Sequence, residues 1–158
     1  RIDQAAIFEG ARTATWPARM QRLGLGPVTG LAPDTEVWLD GGHNPHAARA
    51  IARHLDSLPG KTVLVTAMLA SKDATGFFLP FRHLKPDVFT MPNVPGHRGA
   101  EPHDLAEAAR TAGLKVTVCD SLDAAVTAAA ATGAERILIC GSLYLAGEVL
   151  ARNLEPPQ

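Results

Sequence analysis

The sequence predicts an α/β fold, a Rossmann-like doubly wound sheet of five parallel strands with an antiparallel edge strand and helices on both faces. Apolar, β-branched runs alternate with helical patterns five times along the 158 residues. These runs are apolar throughout instead of at every second residue, which is typical of strands covered on both faces. The alternation favours a parallel sheet, because parallel neighbours need a crossover connection that is usually a helix. The length corresponds to one domain.

The elements follow in order along the chain. A helical pattern over residues 3–13 comes first, and Trp16-Pro17 ends it. Residues 20–31 contain three glycines and one proline, which predicts a small hairpin or the edge strand. The five core strands are predicted at 36–39, 62–68, 87–90, 115–119 and 136–140. The helices that alternate with them are predicted at 46–58, 74–81, 102–112, 122–132 and 143–153.

Local signals support three of the helix starts. Asn44 is a good N-cap residue, and Pro45 follows it at the first helical position. Pro102 can begin its helix in the same way, and Ser142 is a natural N-cap for the last helix.

Composition excludes several classes of protein. Fifteen Lys and Arg against sixteen Asp and Glu give a net charge of −1, so the overall charge favours neither nucleic acid nor a membrane surface as a partner. Cys119 and Cys140 lie in apolar strand-like runs, which predicts buried thiols in a reducing compartment. No apolar run approaches the roughly 18 residues of a membrane span, so we expect a cytoplasmic protein. The chain begins at Arg1 without Met, which suggests processing or a piece of a longer protein.

The richest candidate site is the segment Asp40-Gly41-Gly42-His43-Asn44-Pro45, which follows the first core strand. Ligands of open parallel sheets bind beyond the carboxyl ends of the strands. A helix start with free N–H groups favours phosphate there. Asp40 could accept hydrogen bonds from ribose hydroxyls, and His43 could donate to a phosphate or pack on a base. The alternative is structural, since Asp40 and Asn44 could simply cap the turn and the helix.

A metal site at the same segment and a P-loop elsewhere in the sequence are two other possibilities. Asp40, His43 and His46 could be metal ligands of a hydrolase, although no HExxH-like or cysteine-rich spacing accompanies them. The sequence contains no G-x-x-x-x-G-K-[ST] loop, so it cannot hold a triphosphate in the P-loop manner by itself.

Four segments resemble a known family. They are WPARMQRL at 16–23, WLDGGHNPHAA at 38–48, SKD at 71–73 and CGSLYLAGEV at 140–149. In this order and over essentially the whole chain they closely resemble the C-terminal part of folylpolyglutamate synthase/dihydrofolate synthase, in the Mur ligase superfamily. The box around Asp40 and the box around Ser142 are the most specific.

The resemblance implies an ATP-dependent ligase that joins L-glutamate to a dihydropteroate or folate carboxylate through an acyl phosphate. In that family the P-loop and the Mg2+ ligands lie on a central domain that precedes this region. Residues 1–18 would then be the end of that domain and a linker, and 19–158 the C-terminal domain. The implied cofactors are ATP and Mg2+, and the implied partner is the protein's own N-terminal P-loop domain. The domain alone would be inactive, and the enzyme a monomer.

The same resemblance implies roles for individual residues. Arg19 would reach the ATP phosphates, while Asp40 would bind the ribose and His43 would sit beside the nucleotide. Lys72 and Ser142 would bind the incoming glutamate, and both follow predicted strands. The alternative is structural, since lysines after strands are usually solvated and Ser142 could simply cap the last helix.

Two positions near these residues are less clear. The sequence has Ala18 where the family usually has glycine, so the turn before Arg19 could differ in shape. Arg98, in a Pro- and Gly-rich loop after another strand, is a weaker candidate for binding phosphate or glutamate. Tyr144 and Leu145 are expected to pack instead of binding.

Two alternatives from other classes remain. The chain could be a stand-alone α/β module that binds a nucleotide or an anionic amino acid without catalysis, or a metal-dependent hydrolase. The preference for dihydropteroate or folate does not follow from the sequence.

Overall fold

The computed structural model describes residues 18–154. The helix predicted over 3–13 and the Trp16-Pro17 stop lie outside these residues. The described part forms one six-stranded mixed sheet with helices on both faces, as predicted.

The strand order across the sheet is β1-β2-β6-β3-β4-β5. Strand β1 runs antiparallel to β2, with Gln21 opposite Leu39, and every other pair is parallel. The predicted antiparallel edge strand is therefore confirmed. The strand bounds are Gln21–Arg22 (β1), Glu36–Leu39 (β2), Thr62–Thr66 (β3), Val88–Thr90 (β4), Val116–Val118 (β5) and Arg136–Cys140 (β6).

Within residues 18–154, five α-helices connect or follow the strands. They are Pro45–Asp56 (α1), Ala74–Phe78 (α2), Pro102–Thr111 (α3), Leu122–Ala130 (α4) and Leu143–Arg152 (α5). Short 3-10 helices occur at Thr29–Leu31 and Leu79–Phe81. The helix predicted over 74–81 changes to this tighter form at Leu79, because Pro80 cannot donate a backbone hydrogen bond to the preceding turn.

The predicted caps are present. The Asn44 Oδ1 accepts the Ala47 N–H at 2.8 Å, and Pro45 is the first residue of α1. The Ser142 Oγ accepts the Leu145 N–H at 3.2 Å and begins α5. Both side chains satisfy N–H groups that the first turn of a helix leaves without partners.

The core lies in two layers, one on each face of the sheet. Helices α4 and α5 cover one face with Val126 and Val149 among the buried residues, and α1, α2 and α3 cover the other with Phe77, Phe78 and Leu105 among them. Strand β6 is buried at all five positions because its neighbours on both faces are helices. This explains why its sequence is apolar without alternation.

The two cysteines are buried free thiols, as predicted. Burial raises the pKa of Cys140 far above its ordinary value, with a smaller contribution from the negative charge of Asp40, and burial likewise raises the pKa of Cys119. Among the described residues, no helix has the length and apolarity needed to cross a membrane.

Candidate functional site

The candidate site lies at the carboxyl edge of the sheet, where strands β2, β6, β3 and β4 lie side by side. Each of these strands ends in a loop that carries polar side chains. Three neighbouring cavities open along this edge, and they share lining residues. We call them the Asp40, Lys72 and Arg98 cavities, each after one of its charged residues.

The Asp40 cavity has a volume of about 620 Å³ and contains the three residues predicted to bind a nucleotide. Arg19 reaches it from the loop before β1, whereas Asp40 and His43 come from the loop after β2. The antiparallel direction of β1 explains this meeting, because it brings the start of β1 to the carboxyl end of β2. His46 and Leu143 also line this cavity.

The Asp40 carboxylate is buried and makes two backbone hydrogen bonds. Its Oδ2 accepts the Met20 N–H at 3.0 Å, and its Oδ1 accepts the Gly42 N–H at 2.7 Å. The residue is only 7% exposed. Part of the structural alternative considered above is therefore present, since Asp40 stabilises its own turn and also a loop 20 residues away. A carboxylate oxygen has a second acceptor position, so these bonds leave capacity for a ligand hydroxyl.

The loop that carries Arg19 has an unusual backbone. Ala18 and Met20, on either side of Arg19, have φ angles of 56° and 40°. Residues with a Cβ seldom adopt this left-handed conformation, which favours glycine. The Ala18 carbonyl accepts the Gly41 N–H at 2.7 Å, so the loop is attached to the segment after β2 through its backbone as well. Arg19 itself is exposed.

His43 is held by its own turn. Its Nδ1 lies 3.0 Å from the Gly41 carbonyl oxygen. Because a carbonyl can only accept, this bond places a hydrogen on Nδ1 and leaves Nε2 as an acceptor in the neutral ring. A neutral His43 can therefore accept a hydrogen bond from a ligand, and only the protonated ring can donate to a phosphate.

The Lys72 cavity, of about 270 Å³, brings together two residues that are far apart in sequence. Lys72 follows β3 and Ser142 follows β6, and both line this cavity with His43. Strands β3 and β6 are neighbours, so their carboxyl ends meet. Ser142 is 2% exposed, and its Oγ serves as the α5 N-cap. Among residues 18–154, no carboxylate forms a salt bridge with Lys72.

Arg98 lies in a different cavity from Lys72 and Ser142. The Arg98 cavity has about 490 Å³ and also contains Ser71 and His97. The Arg98 carbonyl accepts the Ala70 N–H at 3.0 Å, which connects its loop to the one that carries Lys72.

Tyr144 lines both the Lys72 cavity and the Arg98 cavity. Its ring stacks on that of His97 with centroids 3.5 Å apart and an interplanar angle of 18°. Tyr144 therefore packs on His97 while it remains 46% exposed, whereas Leu145 is buried. Position 144 is on the exposed side of the first turn of α5, and the spacing of the buried residues in that helix could have indicated this.

The arrangement does not favour a metal site. Within residues 18–154, no three His, Cys, Asp or Glu side chains are grouped so that they could hold a metal ion. The set of Asp40, His43 and His46 that the sequence offered is thus not assembled as ligands in the described structure.

Comparison with known families gives a clear assignment. The family model described as "Dihydrofolate synthetase, C-terminal domain" matches residues 29–152. The chain belongs to this family. The match covers α1 to α5 and all the strands except β1, so it contains every loop of the site except the one that carries Arg19.

Curated relatives of this synthetase domain are much longer than the chain. The chain is 29% identical to the Escherichia coli dihydrofolate synthase/folylpolyglutamate synthase over 151 residues, which are 94% of the chain and 33% of the relative. It is 32% identical to the Haemophilus influenzae protein of the same name over 160 residues, at 95% and 35% coverage. The chain therefore spans about a third of the length of these relatives.

Solved structures show the same fold. Escherichia coli FolC in complex with DHPP and ADP superposes with a TM-score of 0.72 at 28% identity, covering 96% of this chain and 34% of that one. The bifunctional folylpolyglutamate synthase/dihydrofolate synthase of Yersinia pestis with Mn, AMPPNP and L-glutamate bound gives a TM-score of 0.73 at 26% identity, with 96% and 35% coverage.

Proposed function

We propose that the chain is the C-terminal domain of an ATP-dependent ligase that adds L-glutamate to dihydropteroate or a folate through an acyl phosphate. The supporting observation is the contiguity of the Asp40 and Lys72 cavities, which share His43 and Leu143. A ligase of this type must place the phosphate end of a nucleotide next to the amine of an amino acid, and two adjoining polar cavities suit that requirement.

The Asp40 cavity is proposed to receive the nucleotide. Arg19 carries a permanent positive charge that suits phosphate, and a fixed guanidinium stabilises charge that develops during phosphoryl transfer. Asp40 offers its remaining acceptor positions to the ribose hydroxyls, and His43 lies beside the nucleotide. Mg2+ would be held by the preceding P-loop domain, where it would offset phosphate charge, because the described residues offer no ligand set for it.

The Lys72 cavity is proposed to receive L-glutamate. The Lys72 ammonium and the Ser142 hydroxyl can both donate to a carboxylate. Ser142 can keep its role as a helix cap meanwhile, because the cap uses the oxygen as an acceptor and leaves the hydroxyl hydrogen available. Arg98, in the next cavity, supplies a second cation for a substrate that has two carboxylates.

The domain is proposed to act only together with the P-loop domain. Residues 1–18 would provide the end of that domain and the linker, and 19–158 the C-terminal domain. Closure of the two domains over the nucleotide would complete the site when the ligands are bound. We expect a cytoplasmic monomer with no nucleic-acid or membrane partner, in line with the balanced charge.

Steady-state kinetics of the full-length ligase that contains this chain would test the proposal. Lys72→Ala should raise the KM for L-glutamate by about tenfold or more and leave the KM for ATP nearly unchanged, since a charged hydrogen bond to the substrate is lost. Arg19→Ala should raise the KM for ATP and leave the KM for L-glutamate nearly unchanged.

Lys115→Ala provides a matched control, because Lys115 is an exposed lysine just before β5 at the opposite edge of the sheet. It should change neither constant. If Lys72→Ala leaves the KM for L-glutamate unchanged, the assignment of the amino-acid cavity is wrong. If the full-length protein does not ligate glutamate at all, the proposed function is wrong.

A further inference from the structure

We propose that Asp40 is a positioning residue for Arg19: its carboxylate fixes the loop of residues 18–20 and so directs the guanidinium into the Asp40 cavity. This role is separate from any contact of Asp40 with a ribose. The part that concerns phosphate binding rests on the function proposed above, whereas the part that concerns the loop stands on the geometry alone.

The first argument is the pattern of hydrogen bonds. The Oδ2 of Asp40 accepts from Met20, directly after Arg19, and the Oδ1 accepts from Gly42 in its own turn. One carboxylate therefore joins the loop before β1 to the loop after β2. On the other side of Arg19, the Ala18 carbonyl accepts the Gly41 N–H. Arg19 is thus held on both sides by the segment 40–42.

The second argument is the backbone conformation. With φ angles of 56° and 40°, Ala18 and Met20 both adopt a region that is unfavourable for residues with a Cβ. Such a conformation persists only where surrounding contacts enforce it. Contacts that can enforce it are the two bonds to segment 40–42 and the bond from the Ala18 N–H to Gln21 Oε1 at 2.9 Å.

The third argument is the need for a carboxylate. The Met20 and Gly42 N–H groups donate to different oxygens of one side chain, so both bonds form in this geometry only if each of the two side-chain positions is an acceptor. Asparagine has nearly the same shape but offers one acceptor and one donor group, so one of the two N–H groups would face an NH₂. Asp40 is buried enough that water would not easily replace the lost bond.

The loop itself can be tested without any ligand. Amide hydrogen exchange, measured by NMR on this chain, should show that Met20 or Gly42 loses protection by about tenfold or more in Asp40→Asn, because the bonds to a charged oxygen are weakened. Asp34→Asn is the matched control, because Asp34 is an exposed residue before β2 at the opposite edge of the sheet. Unchanged exchange at both amides would overturn the proposal.

A measurement on the unsubstituted chain covers the case in which Asp40→Asn does not fold. A scalar coupling across the hydrogen bond, from the Met20 amide nitrogen to the Asp40 carboxyl carbon, should be detectable. If this coupling is absent while the other backbone hydrogen bonds of the chain give such couplings, the proposed fixing of the loop by Asp40 is contradicted.

Inhibition of the full-length ligase by tripolyphosphate separates positioning from ribose binding. This probe has no ribose, and the loss of the Asp40 negative charge would by itself strengthen the binding of a polyanion, so weaker inhibition would indicate displacement of Arg19. Asp40→Asn should weaken inhibition by about tenfold, as should Arg19→Ala, and the double variant should lose little more, because the two residues act as one unit. If Asp40→Asn weakens ATP but leaves tripolyphosphate unchanged, Asp40 acts on the ribose alone and the positioning role is wrong.

The two hypotheses can fail separately. If the full-length protein does not ligate glutamate, the proposed function is wrong. The exchange rates of the Met20 and Gly42 amides would still decide whether Asp40 fixes the loop of residues 18–20.

Discussion

Gly141 is the residue that allows β6 to turn directly into α5 at the centre of the site. Its φ angle is 106°, and a Cβ at this position would collide with Thr66 Oγ1 and lie 2.6 Å from the Ala67 carbonyl oxygen. Both the backbone conformation and the space therefore require glycine. The close approach places Ser142 next to the end of β3, from which the Lys72 loop departs.

We predict that Gly141→Ala lowers the free energy of unfolding by roughly 2–4 kcal/mol, from backbone strain and overpacking together. Gly147→Ala is the matched control, because Gly147 is exposed within α5 and no atom lies within 4 Å of the point that its Cβ would occupy. That change should stabilise the chain by about 0.5–1 kcal/mol, since alanine favours the helix. Urea unfolding of both variants would measure the difference, and an equal effect of the two would contradict it.

At this scale the sequence could indicate which residues are near the site but not all of their contacts. Asp40 follows a strand and precedes two glycines, so its place at the sheet edge was predictable. Its bond to Met20 was not, because it depends on the pairing of β1 with β2, a long-range contact. The stacking of Tyr144 on His97 depends in the same way on how the loop after β4 folds back towards α5.

Helix α5 ends in a residue that attaches a distant loop. The Asn153 side chain, 1% exposed, accepts the Val28 and Thr29 N–H groups at 3.0 and 3.2 Å and donates to the Gly24 carbonyl at 3.0 Å. It thus holds the connection between β1 and β2 against the end of the last helix.

We predict that Asn153→Ala lowers the free energy of unfolding by roughly 2–4 kcal/mol, because it leaves buried backbone groups without partners. Asn153→Asp keeps the acceptor, but it places an oxygen against the Gly24 carbonyl and a buried negative charge at the C-terminus of α5, so it should also be destabilising at pH 7. Thermal or urea unfolding would rank the two. The prediction is wrong if Asn153→Ala is as stable as the unsubstituted chain.

Elements with strong local signals were predictable almost to the residue. Strands β2 and β6 have the predicted bounds, and α1 begins one residue before its predicted start. The strand predicted over 62–68 is shorter because Ala67 and Met68, although apolar and buried, lead into the bridge between Leu69 and Gly99. Their apolar character alone could not distinguish these two residues from strand residues, because the apolar pattern of a sequence does not show which neighbouring segment each residue pairs with.

At the edge of the sheet opposite the candidate site, the segments that precede strands β3 and β6 contact each other. The Glu135 carboxylate accepts the Lys61 N–H at 2.5 Å. This bond is the main cause that lowers the pKa of Glu135 below its ordinary value of 4.5, with its own backbone N–H and the nearby Arg136 and Lys61 charges adding to it. A lowered folded-state pKa means that the ionised carboxylate contributes stability above the ordinary value and loses it as the pH falls through the folded-state value.

We therefore predict that Glu135→Gln is less stable than the unsubstituted chain at pH 7 and that the difference disappears as the pH falls well below 4.5. Glu148→Gln serves as a control for the loss of one negative charge, since Glu148 is exposed on α5. Urea unfolding at several pH values would show the trend. A difference that grows in acid would contradict the sign of this linkage.

For the whole molecule, the class of sheet was predictable and the strand order was not. Five alternations of strand and helix indicate a parallel sheet whatever the order of its strands. The order β2-β6-β3 inserts the last strand between the first two core strands. That insertion is what brings Ser142 beside Lys72, and here it could be anticipated only from the resemblance to a family.

Because Tyr144 stacks on His97, the NMR resonances of its ring should respond to ligands in the adjacent cavities. Tyr144 is the single tyrosine of the sequence, and it lines both the Lys72 cavity and the Arg98 cavity. The ring-current field of the stacked pair depends on their separation, so a ligand that enters either cavity and shifts the loop by a fraction of an ångström would move the tyrosine resonances. Occupancy can thus be followed in the natural sequence, without an added label.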